Sequence, residues 1–128
     1  MSILKGSNTA IIDEATLAAS ATTALGDCTA VDCTKGTQLV FFVEATFNAS
    51  ATAGIDITLW PSYDGTTFVT SAWSDWTWSI AVDAGNSIVE CSEPISPTPQ
   101  KIKVKVTNSD ATYAVTNLKV YHNIQTAG

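Results

Sequence analysis

Apolar and polar residues alternate along much of this chain with a period of two. The clearest segment is residues 37–48, TQLVFFVEATFN. One face of it carries Leu39, Phe41, Val43, Ala45 and Phe47, and the other carries Val40, Phe42, Glu44 and Thr46. Because successive side chains of a β-strand point to opposite faces, this alternation predicts a strand with one face in a hydrophobic core.

Similar segments recur at short intervals along the rest of the chain. They predict further strands at residues 55–60, 76–82, 87–93, 101–108 and 116–124. In the second of these, the residues expected on the core face are Trp76, Trp78, Ile80 and Val82. Asp64-Gly65 supplies the positive φ values of a tight turn, so Phe68 and Val69 are expected to return antiparallel to the preceding strand. Three prolines in residues 93–100, EPISPTPQ, predict a crossing between sheets, because proline cannot donate to a strand ladder.

Seven or eight short strands with no helical periodicity predict an all-β fold. The expected architecture is a two-sheet antiparallel sandwich of jelly-roll or Greek-key type. Residues 1–14 are interpreted as an extended N-terminal arm that binds a neighbouring subunit, and residues 15–128 as a single β-sandwich domain. Residues 16–25, TLAASATTAL, are interpreted as a loose first strand.

The charge balance argues against nucleic acid as a partner. Twelve acidic residues face six lysines, no arginine is present, and the net charge is −6, whereas phosphate recognition depends on clustered basic residues. Lys101, Lys103 and Lys105 lie on one face of a predicted strand, which favours a solvated strand face over a patch for an acidic partner. The longest apolar run, residues 39–43, is too short to span a bilayer, so no membrane association is expected.

Candidate catalytic chemistry is sparse. The single histidine, His122, is in phase with the apolar face of the last strand and is interpreted as structural. No carboxylate pair or nucleophile motif is singled out by spacing, so the protein is not expected to be an enzyme, and no metal or cofactor is predicted. Cys28, Cys33 and Cys91 are expected to be reduced thiols in a protein assembled in a cytoplasm, and a Cys28–Cys33 pair is left open.

Four tryptophans, Trp60, Trp73, Trp76 and Trp78, offer the main alternative to a purely structural interpretation. Aromatic rings pack in cores and subunit interfaces, but exposed rings also stack on ligands such as sugars. The candidate interface or ligand-stacking residues are Trp60, Trp73, Tyr63, Ile11 and Ile12.

Two segments of the chain resemble those of a known class of protein. They are the strand-turn-strand unit WPSYDGTTF (residues 60–68) and the closing IKVKVTNSDATYAVTNLKV. Together with LAASATTA and TQLVFFVEATF, they make the chain, from about Leu17 onward, similar to small β-sandwich structural proteins of tailed bacteriophages. These include capsid decoration (cement), head-fibre and neck or tail accessory proteins. The resemblance implies a non-enzymatic virion protein, above all a capsid decoration protein, located in the virion after assembly in the host cytoplasm. Its implied partners are the major capsid protein or other virion proteins, with homo-oligomers on the particle. The alternatives are a neck or tail accessory protein and a carbohydrate-binding module that takes a glycan on exposed tryptophans.

Overall fold

A computed structural model describes residues 3–4, 9–73 and 76–127. Within these residues the chain forms nine strands and one short 3-10 helix at Leu25–Asp27. The strands are β1 (Ile3–Leu4), β2 (Ile12–Leu17), β3 (Val31–Asp32), β4 (Gly36–Phe47), β5 (Ile55–Ser62), β6 (Thr77–Ile80), β7 (Ser87–Cys91), β8 (Lys101–Asn108) and β9 (Val115–Ala127).

The strands pair as one long hairpin rolled into two sheets. β5 pairs with β6, β4 with β7, β3 with β8 and β2 with β9, and every pair is antiparallel. Sheet A has the order β2–β9–β4–β7, with β1 on the far end of β9, and sheet B has the order β3–β8–β5–β6. This is the strand order of a jelly roll. The predicted all-β sandwich is confirmed.

The core lies between the inward faces of the two sheets. From sheet A, the five alternate residues of β4 that begin at Leu39 are all buried, and Leu118 and Val120 of β9 join them. From sheet B come Ile55, Ile57, Leu59, Ile102, Val104 and Val106. Each such side chain contributes roughly 1.5–3 kcal/mol when it leaves water, which makes this layer the main stabilising term. The lysines of β8 alternate with core residues and point outward, as predicted.

Strand β2 begins inside the predicted arm of residues 1–14. β2 begins at Ile12, which lies opposite Val120 of β9, and both Ile11 and Ile12 are buried in the core. Residues 18–24, interpreted as part of a first strand, instead lead away from β2 and contact sheet B through a single bridge between Thr22 and Thr107. Two adjacent isoleucines followed by two acidic residues show little alternation, so only pairing with β9 reveals the strand. Most of the remaining predicted arm lies outside the described residues.

The turn after β5 is longer than the tight hairpin predicted from Asp64-Gly65. Ser62 and Phe68 form one antiparallel bridge, and the Val69 N–H donates to the Pro61 carbonyl at 3.1 Å. No further ladder follows in the described residues until β6. Gly65 has φ +84°, the conformation that the turn requires of it.

Asn108, at the end of β8, is buried and joins three chain segments. Its Nδ2 donates to the carbonyls of Leu17, Ala18 and Tyr113 at 3.3, 3.3 and 3.0 Å. Its Oδ1 accepts a hydrogen bond from the Asp110 N–H at 3.0 Å. Buried polar groups stabilise a fold only when they are satisfied, and this amide at the end of sheet B satisfies carbonyls beside β2 and β9 of sheet A.

Asp110 holds two loops together from the same end. Its Oδ1 accepts from the N–H groups of Thr112 and Tyr113, both at 2.8 Å. Its Oδ2 accepts from those of Thr52 and Ala53 at 2.8 and 3.2 Å. These backbone hydrogen bonds favour the charged carboxylate and hold the pKa of Asp110 well below its ordinary value. The loop before β5 and the loop before β9 are thereby joined through one side chain.

Asn108→Ala is expected to lower the free energy of unfolding by about 1–3 kcal/mol, because it leaves buried carbonyls without donors. Urea unfolding followed by circular dichroism measures this. Thr112→Ala, at an exposed side chain in the same loop, is the matched control and should stay within about 0.5 kcal/mol of the wild type. Equal stabilities for Asn108→Ala and the wild type would contradict the role given to this amide.

Asp110→Asn is expected to destabilise the protein near neutral pH and to flatten the dependence of its stability on pH. Because the folded-state pKa is depressed, the contribution of Asp110 is complete above the ordinary value of 3.8 and is lost as the pH falls below it. Urea midpoints near pH 7, 5 and 3 test this. If the urea midpoints of the wild type and the variant change equally with pH across this range, the role given to the Asp110 carboxylate is refuted.

Candidate functional site

A cleft opens at the opposite end of the β5–β8 ladder from Asn108. One half has a volume of about 460 Å³ and is lined by Pro61, Ser62, Tyr63, Val69, Trp73, Thr98, Pro99 and Gln100. The other half has a volume of about 540 Å³ and is lined by Trp73, Trp76, Glu93, Pro94, Ile95, Ser96 and Thr98. Trp73 and Thr98 line both halves, so the two are adjacent. Each half is within the size range of small-ligand sites.

The aromatic wall of the cleft is the loop that follows β5. Asp64 Oδ1 accepts hydrogen bonds from the N–H groups of Thr66 and Thr67 at 2.8 and 2.7 Å and from the Ser62 hydroxyl at 3.1 Å. These bonds lower the pKa of Asp64 to about 2. Farther along the loop, the backbone N–H of Trp73 donates to the Leu59 carbonyl at 2.8 Å. Both ends of this wall are therefore tied to β5.

The second wall is the proline-containing segment of residues 92–100, which carries the chain from sheet A to sheet B. Ile95 and Leu39 exchange two backbone hydrogen bonds of 2.9 and 2.7 Å. The Gln100 N–H donates to the Ser62 carbonyl at 3.0 Å, which joins this wall to the base of the aromatic wall. The crossing predicted from the prolines therefore also forms half of the cleft.

The structure brings together two of the predicted candidate residues and separates the others. Tyr63 and Trp73 both line the cleft, and Tyr63 is 79% exposed. Ile11 and Ile12 are 5% and 1% exposed, so they belong to the core and not to a surface. Sequence analysis offered them as interface residues because it placed them in an arm.

Trp60 lies on the outer face of sheet B and not in the cleft. The Lys105 ammonium sits 3.9 Å from the centre of its ring, and the indole N–H donates to the Thr58 hydroxyl at 3.0 Å. On the same face, the Lys103 ammonium lies 4.9 Å from the centre of the Phe68 ring. The predicted lysine face is therefore an aromatic-lysine layer in which cation–π contacts cover the rings.

Sequence analysis assigned Trp76 to the core and so missed its place in the cleft. Its ring lies 6.4 Å from that of Phe41, at an interplanar angle of 59°, and its remaining surface lines the second half of the cleft. Trp76 directly precedes β6, so the alternation of the strand does not determine its orientation. Trp78 and Val82 are only partly buried against the core, whereas Ile80 is fully buried as predicted.

The outer face of sheet A carries a group of apolar side chains, here called the sheet A patch. Its members are Val40, Phe42, Val89, Cys91 and Tyr121. Phe42 lies opposite Cys91 of β7 on one side and opposite Tyr121 of β9 on the other. Val89 is 68% exposed. The apolar residues on both faces of β4 were the sequence signal for this patch.

The titratable groups outside the cleft have structural surroundings. His122 lies opposite Phe41, its Nδ1 is buried without a hydrogen-bond partner, and burial lowers its pKa. Burial also raises the pKa of the Cys28 thiol. The pKa of Cys33 is raised to about 11, mainly by burial and to a smaller extent by the nearby Asp32 carboxylate. Cys28 and Cys33 are free thiols in the structure. In the described part of the chain, no cluster of three or more His, Cys, Asp or Glu side chains is placed to hold a metal ion.

Comparison with solved structures supports the fold. A chain from the structure of infectious bursal disease virus, Gx strain, is similar over 98% of this chain, with 12% sequence identity and a TM-score of 0.59. This chain spans 32% of that one, about a third of its length. A family 16 carbohydrate-binding module is also 12% identical, over 88% of this chain and 74% of its own, with a TM-score of 0.42. No protein-family model and no curated protein sequence matches the chain.

Fold and site together define a class: a jelly-roll sandwich with an apolar outer sheet face and a cleft lined by aromatic residues. The chain shares its fold with a chain of a virus structure. Among the described residues, no helix has the length and apolar character needed to cross a bilayer.

Thiol labelling of the native protein is expected to modify Cys91 first. Cys91 is exposed, whereas Cys28 and Cys33 are buried and have raised pKa values, and only the thiolate reacts. Intact-mass spectrometry after brief treatment with iodoacetamide should show one adduct per chain, and three after unfolding in urea. Rapid addition of three adducts to the folded protein would contradict the burial of Cys28 and Cys33.

Proposed function

We propose that this chain is a non-enzymatic structural protein of a bacteriophage particle, a capsid decoration protein that stabilises the shell by binding the major capsid protein. The observation that carries the proposal is the sheet A patch, which presents apolar surface on a rigid sheet. A sheet face that meets only water is normally polar, and contiguous exposed apolar surface marks interaction sites.

The register of sheet A gives this patch the layout of a protein interface. The Phe42 row is apolar across three strands. In the next row, Glu44 lies opposite Val89 on one side and Lys119 on the other, and Lys119 in turn lies opposite Asp13 of β2. An apolar centre bordered by charged residues is the usual composition of a protein–protein interface. Copies docked in this way on a symmetric shell would stand around its local axes as a homo-oligomer.

The free edge of β7 fits docking through the sheet face better than docking through the sheet edge. Glu90 occupies the position opposite Val43, on the inward phase of an edge strand, and its side chain is exposed. Charged residues at inward positions of edge strands oppose pairing with another strand. The exposed apolar surface therefore lies on the face.

Two further observations support a structural role on a particle. His122, the single histidine, has no hydrogen-bond partner at Nδ1 among the described residues, so no carboxylate there orients the ring through that nitrogen. The likeness to a chain of a virus structure agrees with the bacteriophage resemblance noted in the sequence, although it extends to the fold alone.

The copy number of the chain in purified particles from its source separates decoration from the neck or tail alternative. Calibrated mass spectrometry against the major capsid protein is the measurement. Decoration predicts a number of copies comparable to that of the capsid protein. A few copies per particle would place the protein at the neck, the tail or a fibre, and absence from particles would refute a virion role.

Val89→Asp is expected to abolish binding to particles that lack the protein while leaving its fold intact. Val89 is largely exposed, so the substitution costs little stability, but a carboxylate within the docked surface would lose its hydration. Cosedimentation with particles measures binding, and circular dichroism checks the fold. Val69→Asp, the same change at an exposed valine of the cleft, is the matched control and should bind as the wild type does. Full binding by Val89→Asp would rule out the sheet A patch as the docking surface.

A further inference from the structure

We propose that the cleft between the loop after β5 and residues 92–100 binds a neutral oligosaccharide of hexopyranose units. This binding site is separate from the sheet A patch and does not depend on a role in decoration. If the chain is mounted on a particle, this site would let it bind a glycan while the sheet A patch is bound to the shell.

The aromatic wall supplies a stacking surface. Tyr63, 79% exposed, and Trp73 line one half of the cleft, and Trp73 and Trp76 line the other. Tyrosine and tryptophan present large, rigid apolar faces at little cost in conformational entropy. A pyranose ring has one face of C–H groups that fits against such a ring. Both indoles also pack partly against the core, so their rings are held in place before a ligand arrives.

The opposite wall supplies hydrogen-bonding groups. Four polar side chains along it have no hydrogen-bond or ionic partner among the described residues: Glu93, Ser96, Thr98 and Gln100. Hydroxyl and amide groups both donate and accept, and the carboxylate accepts. A sugar fits between these two walls, because its C–H face can stack on the aromatic wall while its hydroxyl groups hydrogen-bond to the polar wall.

Charge and donor chemistry narrow the class of ligand. The net charge of −6 and the Glu93 carboxylate in the cleft disfavour acidic glycans. A proline-rich peptide also docks in aromatic grooves, but its prolines lack N–H groups and therefore cannot donate to the Glu93 carboxylate. The hydroxyl group of a neutral sugar can donate to that carboxylate.

The position of Trp73 between two compartments implies at least two sugar subsites. The half next to Tyr63 is mainly apolar and fits a ring stacked on that side chain, whereas the half next to Trp76 contains Glu93 and Ser96. A tetrasaccharide is therefore expected to bind more tightly than a monosaccharide of the same unit, because it occupies both halves.

Isothermal titration calorimetry of the full chain with maltotetraose, cellotetraose and tetra-N-acetylchitotetraose tests the proposal. At least one of them is expected to bind with a dissociation constant of about 1 mM or tighter. Tyr63→Ala, at an exposed position, should weaken that binding roughly 3- to 10-fold, the range typical of one aromatic stacking contact. Glu93→Gln should weaken it as well. Tyr121→Ala, which removes the same side chain from the sheet A patch, is the matched control and should bind as the wild type does.

The possible outcomes are distinct. No heat with any of the three sugars, or equal affinities for Tyr63→Ala and the wild type, would overturn the proposal. Binding of a polyproline peptide without binding of the sugars would overturn it in favour of a peptide groove. Val89→Asp should retain sugar binding while losing particle binding. Tyr63→Ala should bind the sugar more weakly while it still binds particles, so failure of the glycan site and failure of the decoration role can be told apart.

Discussion

The pairing of β4 with β9 is the interaction on which the rest of the structure depends. Every strand of sheet A pairs with one of these two, because β9 also carries β1 and β2 on its other edge and β4 carries β7. A register shift near Glu44 and Thr46, next to Asn117 with φ +51°, keeps Val115 and Leu118 both facing the core. Without that shift a one-residue slip would turn one part of β9 to the wrong face. The core and the outer patch of the sheet are both set by this register.

The two ends of the sandwich differ in structure: one is closed by hydrogen bonds between loops, and the other contains the cleft. At one end, Asn108 and Asp110 use their side chains to satisfy backbone groups of neighbouring loops, which closes that end with hydrogen bonds. At the other end, Asp64 orders a loop that forms one wall of the cleft, and residues 92–100 form the other. Both carboxylates have lowered pKa values for the same reason, because each accepts backbone N–H groups. One carboxylate joins two loops, whereas the other stabilises the loop to which it belongs.

Surface placement separates the two proposed roles. The sheet A patch lies on a broad outer face suited to a protein partner, and the cleft is lined by aromatic and polar side chains suited to a small ligand. Sequence reasoning treated Trp60 and Trp73 as equivalent candidates. The structure separates them, because Lys105 covers the ring of Trp60 on the outer face of sheet B while Trp73 divides the cleft.

The sequence by itself determined the strands that alternate clearly, because a period of two is a local property that burial of one face imposes on a strand. It therefore predicted β4, β5, β8 and β9, the outward lysines, the crossing through the prolines and the all-β class. Strand pairing is not local, so only the tertiary structure decided that Ile11 and Ile12 belong to the core, through the position of Ile12 opposite Val120. The same holds for the cleft, whose walls are separate in sequence and meet only because the rolled hairpin brings the loop after β5 beside the loop after β7. Asn108 and Asp110 look like ordinary turn residues in the sequence, and their role arises from the backbone groups that the fold brings within hydrogen-bonding distance.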